Sequence, residues 1–355
     1  MIVSFAIVAY NEGKTLPRLL EDLEKQDYPH EKIEVLLIDS MSADDTWTIM
    51  KAFAESAQGF RRVVLLKNEE KTLPHGCNVA LKHYTGDAIV RIDAHASIPT
   101  DFIRKNVRTL QSGEDVCGGA RPNIIDNDSG WSRTLLAAEQ SMFGSSIASY
   151  RRSQQKRYVS SVFHGCYRRE VYDKVGLYNG HLARTEDNDM SYRIRRAGYR
   201  ICYDPDIVSY QHTRSTLFQM LRQKYLNGYW IGKTMGVNPN CFSVFHFVPF
   251  CFVLGIIVTT ALGLLGYPFL SGLMWSAYGG LILLFSAMEI LRRPFSWAKL
   301  ALPVLFFLLH ISYGVGTLVG LVEMPFWIRK IQNRIGRIEP WRNLRFLRKK
   351  FEKCR

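Results

Sequence analysis

Paired cysteine is missing from this chain. Its seven cysteines (Cys77, Cys117, Cys166, Cys202, Cys241, Cys251 and Cys354) form no C-x-x-C pair. That odd, scattered set argues against a disulfide framework or a zinc site and fits a reduced, cytosolic globular part. Charge is missing from two stretches. The 55 residues from Thr234 to Met288 and the 23 from Leu300 to Val322 contain no Asp, Glu, Lys or Arg. A bilayer span takes about 20 apolar residues, so the first stretch has room for two spans and a tight turn, and the second for one. Internal repeats and low-complexity tracts are absent, and Met1 runs straight into a short apolar segment that reads as a strand, not a cleavable leader. Acidic residues thin out at the C-terminal end. Arg329 to Arg355 hold 11 basic and 2 acidic residues, so +9 of the net +14 sits there and only +5 is left for the rest. A basic tail beside apolar segments reads first as a contact with anionic lipid headgroups. No nucleic-acid-binding motif accompanies it, so nucleic acid is not an expected partner.

What is present, over 355 residues, suffices for about two domains. Residues 2–9, 33–38, 62–66 and 88–92 read as buried strands, and leucines at 16, 19, 20 and 23 recur at helical spacing between the first two. Alternating strands and helices predict an α/β fold with a mostly parallel sheet covered on both faces. Ligands of such sheets bind beyond the carboxyl ends of the strands, and three of those ends carry Tyr10-Asn11-Glu12, Asp39 and Asp93. Lys71, His75 and Asn78 read as a polar loop before the fourth strand. Thr185-Glu186-Asp187 precedes a helical run through Arg196, and residues 216–231 read as an interfacial amphipathic helix with Leu217, Met220, Leu221 and Tyr225 on one face.

The segments IVAYNEGKTLPRLLEDL, VLLIDSMSADDT, GDAIVRIDAHA and HGCYRREVYDKVGLYN…TEDNDMSYRIRRAGYRI, in that order over residues 2–212, resemble glycosyltransferase family 2. HISYGVG at residues 310–316 is similar to bacterial exopolysaccharide glycosyltransferases of the succinoglycan-biosynthesis type. The resemblance implies a GT-A fold, Rossmann-like, followed here by transmembrane helices. It implies that Asp39 accepts a hydrogen bond from uracil N3–H, with Tyr10 and Glu12 lining the same nucleotide-sugar pocket. A turn or helix-capping role is the alternative for Asp39. Asp93-Ala94-His95 stands where the family carries its D-x-D motif, whose Mn²⁺ or Mg²⁺ bridges the diphosphate. His95 in place of the second carboxylate tilts the pair toward Mn²⁺. Arg91, two residues earlier on the same strand face, is in reach of phosphate.

The general base that takes the acceptor hydroxyl proton falls by resemblance on Asp187, with Glu186 supporting it or binding acceptor. The same residues also read as an N-terminal cap. Where relatives carry Gln-x-x-Arg-Trp, this chain offers Arg222 and Lys224, which would hold a donor or lipid diphosphate or else face headgroups. His310 and Tyr313 either line a groove for a polyprenyl acceptor or make a structural hydrogen bond.

The resulting expectation is a catalytic part over 1–215, an interfacial helix over 216–240, a membrane region with about three segments over 241–328 and a basic tail over 329–355. The catalytic part is expected to be cytosolic and the chain multi-pass in the cell membrane. The loop with Arg292, Arg293 and Lys299 obeys the positive-inside rule, whereas a third full crossing would leave the tail outside. The expected activity is inverting sugar transfer from a nucleotide sugar, a UDP-sugar by resemblance, to a lipid-linked saccharide in surface polysaccharide assembly. Transfer to polyprenyl phosphate is the alternative reaction, and an inactive nucleotide-binding scaffold the alternative class.

Overall fold

A computed structural model describes residues 1–144, 154–213, 216–292 and 295–338. Arg293 and the end of the basic tail, 339–355, lie outside the described residues. The four expected strands are all present: β1 (Val3–Ala9), β2 (Ile33–Asp39), β3 (Arg62–Lys67) and β4 (Ala88–Asp93). They pair in parallel in the order β3-β2-β1-β4. Every residue of β1 and β2 is buried, as expected for parallel strands covered on both faces. Between them run α1 (Leu16–Glu24), α2 (Thr46–Ser56) and α3 (Leu73–His83). The third helix corrects the expectation of a loop around His75 and Asn78. Pro74 stands in its first turn, where a missing N–H costs nothing and the fixed φ favours a helix.

Beyond β4 the sheet turns mixed. After the short β5 (Ala96–Ser97) come α4 (Phe102–Gln111), β6 (Val116–Ala120), β7 (Asn123–Ile124) and α5 (Gly130–Gln140). They are followed by β8 (Arg157–Val159), β9 (Phe163–Arg168), α6 (Arg169–Val175), α7 (Glu186–Arg196), β10 (Ile201–Val208) and β11 (Tyr210–His212). The strand β9 inserts antiparallel between β4 and β6, giving the full order β3-β2-β1-β4-β9-β6-β10-β8. β5, β11 and β7 form a small second sheet at the edge of the strand ends.

The C-terminal part consists of α8 (Leu217–Thr234), α9 (Val248–Leu264), α10 (Phe269–Leu291) and α11 (Leu302–Ile338). Among the described residues three helical segments are long and apolar enough to cross a membrane: Val244–Leu264, Phe269–Leu291 and Trp297–Asn333. The apolar face expected on α8 packs on protein instead of lying free. Met220, Leu217 and Leu221 join Leu135, Ala138, Leu302, Leu305, Phe306 and Leu309 in one core that spans α5, α8 and α11. Glycines bring α8 and α11 together at backbone contact. A Cβ on Gly316 or Gly320 would stand 2.1 Å from the carbonyl oxygen of Tyr225 or Tyr229, and one on Gly228 2.1 Å from that of Tyr313. Only small residues permit that approach.

His310 makes the structural bond. Its Nε2 lies 2.6 Å from the Phe143 carbonyl oxygen and its Nδ1 2.9 Å from the Tyr278 hydroxyl. The ring thus ties α10, α11 and the segment after α5 together.

Candidate active site

The turns after the parallel strands build one wall of the cleft. Asn11, which follows β1, has φ 55°. Its N–H donates to Ser42 Oγ (2.9 Å) and its Oδ1 accepts from the Ala43 N–H (2.8 Å). The β1 and β2 turns are thereby locked to each other. Asn11, Met41, Lys71 and His164 are the non-glycine residues with left-handed backbone among those described. Such conformations are uncommon and persist where surrounding structure holds them. Three of the four follow the ends of β1, β2 and β3.

Asp39 ends β2, is 3% exposed, and accepts the Ser42 N–H at 3.1 Å. Tyr10 is 54% exposed at the neighbouring strand end, open for a flat ligand to stack. Glu12 crosses to the β4 side, where its Oε1 lies 3.0 Å from His95 Nδ1, while Thr15 Oγ1 donates to its Oε2 at 2.5 Å. Asp44 ties the two turns together, accepting from the Gly13 N–H of the β1 turn and from the Thr46 N–H that opens α2.

Asp93 ends β4 with its carboxylate partly open. His164 on β9, whose side chain is only 2% exposed, reaches it with Nε2 at 3.3 Å, and the other ring nitrogen lies 2.8 Å from Ser209 Oγ. A neutral ring protonated on Nε2 satisfies both contacts. Burial keeps the His164 pKa below its ordinary value, in agreement with that tautomer. Burial alone would raise the Asp93 carboxyl, but the His164 hydrogen bond and the Arg91 charge hold it well below the usual carboxylate range.

Arg91 lies on the same face as Asp93 and sits between carboxylates. Its guanidinium is 3.3 Å from Glu186 Oε1 and 3.9 Å from Asp93 Oδ1. Glu186 opens α7 and is 3% exposed, with its Oε2 buried and unpartnered. Desolvation, with the Asp187 charge beside it, pushes its carboxyl up to about 8. Asp187 is half-buried and accepts the Asn188 N–H at 2.8 Å. Burial raises its pKa too, against the pull of Arg91. The two neighbours thus divide in exposure: Glu186 is sealed, while Asp187 keeps partial access to solvent.

His212 of β11 completes this edge. Its Nε2 meets Ser97 Oγ at 2.9 Å, its Nδ1 meets Asp126 at 2.5 Å, and Arg18 holds the same carboxylate at 3.2 Å. Sequence reading missed His164, Ser209 and His212. His164 opens the HGCYRREVYDKVGLYN segment that carries the family resemblance, a signal that marked it, whereas Ser209 and His212 belong to no quoted motif.

Lys224 is buried with its Nζ 3.5 Å from Glu139 Oε1 on α5, and Arg222 is exposed on α8. Lys224 carries a structural ion pair because α8 packs on α5, with no solvated face at that position. Among the described residues no three His, Cys, Asp or Glu side chains converge on one cation position. The Asp93 and His95 pair offers an oxygen and a nitrogen donor two residues apart, a set that would fit a divalent cation of the Mn²⁺ type.

Residues 4–176 match the family profile described as Glycosyl transferase family 2. The chain carries a glycosyltransferase family 2 domain. The glycosyltransferase is similar over most of its length to the dolichyl N-acetyl-alpha-D-glucosaminyl phosphate 3-beta-D-2,3-diacetamido-2,3-dideoxy-beta-D-glucuronosyltransferase of Methanococcus voltae. The two are 24% identical over 328 residues, 90% of this chain and 97% of the relative. It is also 26% identical over 230 residues to the succinoglycan biosynthesis protein ExoA of Rhizobium meliloti, 64% of this chain and 67% of that protein. In structure the glycosyltransferase resembles the mannosyltransferase PcManGT of Pyrobaculum calidifontis, solved with GDP-Man and Mn²⁺. The TM-score is 0.58 at 18% identity, covering 89% of this chain and 86% of that one. The likeness supports the fold: an α/β domain of the GT-A kind with a largely parallel sheet.

Proposed function

We propose that this glycosyltransferase moves a sugar, with inversion, from a nucleotide sugar to a lipid-linked saccharide at the cytosolic membrane surface. The observation that carries the reading is the division between Glu186 and Asp187 beside Arg91 and Asp93. Asp39 and Tyr10 hold the base of the nucleotide, uracil for a UDP-sugar. Asp93 and His95 hold a divalent cation, which when bound neutralises charge on the diphosphate. Asp187, the more accessible carboxyl of the pair, accepts the proton of the acceptor hydroxyl as that oxygen attacks the anomeric carbon. Glu186, sealed against Arg91, keeps that guanidinium in place. The curated relative from Methanococcus voltae is named for transfer to a dolichyl phosphate-linked sugar, which favours a lipid-linked saccharide as acceptor over bare polyprenyl phosphate.

The test is a donor screen on the full chain with Mn²⁺, reading nucleoside diphosphate release and lipid-linked product. Asp187→Asn should lower kcat by about 10²–10⁴-fold with nucleotide binding retained. Undiminished turnover in that variant overturns the assignment.

A further inference from the structure

One face of the long apolar helix α11 packs on protein, while Val304, Val322 and Phe326 on it stay exposed. Its first turns, Leu302 to Leu309, share a core with Leu135, Ala137 and Ala138 of α5. Its next turns lie on α8. Gly228 meets Tyr313, Gly232 meets Thr317 and Gly320, and Gly236 meets Met324 and Ile328. Residue numbers rise together along both helices, so they run parallel in one groove-to-groove contact. Glu323 of α11 seals it, 3.2 Å from Lys233 Nζ and 2.5 Å from the Tyr229 hydroxyl. Immediately after Ile328 come the exposed Arg329 and Lys330.

α8 in turn is tied to the catalytic domain along its length. Lys224 pairs with Glu139, and Asn227 Oδ1 accepts from Arg184 at 3.1 Å. The Thr234 and Thr185 hydroxyls bond at 2.6 Å, and just past the helix Asn238 Nδ2 donates to Asp189 at 2.7 Å. Three of these partners flank or belong to the first turn of the base-bearing α7.

A bilayer core is about 30 Å thick. If α11 crossed it, α8 would cross beside it, carrying Arg222, Lys224 and Lys233 and pulling the polar face of the catalytic domain into hydrocarbon. Each such cation at mid-membrane is strongly disfavoured. The α9–α10 hairpin differs in carrying no cation before Arg292, although Trp275, Tyr278 and Ile282 of α10 also pack on α11. Pro249 and Val253, at the start of α9, are what meets Gly314 of α11. Its far end projects with Leu264 85%, Tyr267 67% and Phe269 76% exposed, and no charge lies between Thr234 and Met288.

We propose that α11 does not cross the membrane. α8 and α11 lie together as a platform in the membrane–water interface on the catalytic domain's side, and the α9–α10 hairpin makes the two crossings. The third apolar segment is then not a span, and the basic tail leaves α11 on the same side as the catalytic domain, where the positive-inside rule favours it.

The test places an epitope tag on the full chain at Met1, between Gly266 and Tyr267, or after Arg355. Each tagged protein is probed by protease in sealed cells and in inverted membrane vesicles. In sealed cells the hairpin tag should be lost and both terminal tags retained; in inverted vesicles the reverse should hold. Loss of the C-terminal tag in sealed cells with the N-terminal tag retained overturns the proposal, since it means three crossings. Protection of the hairpin tag in sealed cells overturns it as well. Neither readout depends on the reaction proposed above, so a wrong chemistry and a wrong topology fail separately.

Discussion

Replacing Glu186 by Gln tests whether one carboxyl of the pair is held protonated. The substitution keeps shape and leaves an amide oxygen for Arg91, which now lies 3.3 Å from Oε1. It removes the ionisation. Burial lifts this carboxyl from the ordinary 4.5 to about 8, so the folded state binds its proton more tightly than the unfolded chain does. The stabilisation is therefore full below about pH 4.5 and disappears as pH rises through about 8. At about 1.4 kcal/mol for each tenfold change in proton affinity, ionising Glu186 in place costs on the order of 5 kcal/mol. Glu186→Gln escapes that loss. In detergent-solubilised protein its Tm should fall less than the wild type's between pH 5 and pH 9, with the two curves converging at the acid end. Parallel curves across the range would refute the sealed-carboxyl argument, and with it the division of roles between Glu186 and Asp187.

Two further perturbations probe the metal pair and the platform. His95→Ala should raise the Mn²⁺ concentration needed for half-maximal turnover by about 10–100-fold; an unchanged metal titration removes His95 from the site. Gly316→Ala puts a Cβ 2.1 Å from the Tyr225 carbonyl oxygen, which forces α8 and α11 apart at a cost of about 1–3 kcal/mol. Its Tm should drop measurably at constant pH, and a wild-type Tm would show that the helices are not so closely seated.

The strand ends were legible because parallel strands buried on both faces are uninterrupted apolar runs, so the first polar residue after each run marks the ligand edge. Asp39 and Asp93 were found that way, whereas the Glu186-Asp187 pair, which opens α7, was found through the family motif. α3 was hidden because Pro74 and Gly76 read as chain breakers, although proline is at home in a first helical turn. His164 stood at the head of a quoted family segment, but its role was hidden for another reason. It touches Asp93 across 71 residues of sequence, through an antiparallel strand inserted into a parallel sheet. Lys224 misled in the opposite direction. A lysine on an amphipathic helix reads as solvated, and only the distant Glu139 makes it a buried partner. The glycine spacing of α8 and α11 stood in plain view, but spacing alone does not say which helix is met.

The shared core of α5, α8 and α11 bears on how this protein can be taken apart. The family-like stretch ends near residue 212, which invites a cut there to obtain a free-standing catalyst. Such a cut would strip the apolar cover from Leu135 and Ala138 and remove Thr234 and Asn238 from the first turn of α7. The exchangeable part is the tip of the hairpin, Leu264 to Leu270, because Trp275, Tyr278 and Ile282 of α10 already engage the remainder. A substitute tip belongs beyond those contacts, with α8, α11 and the base of the hairpin left to travel with the enzyme.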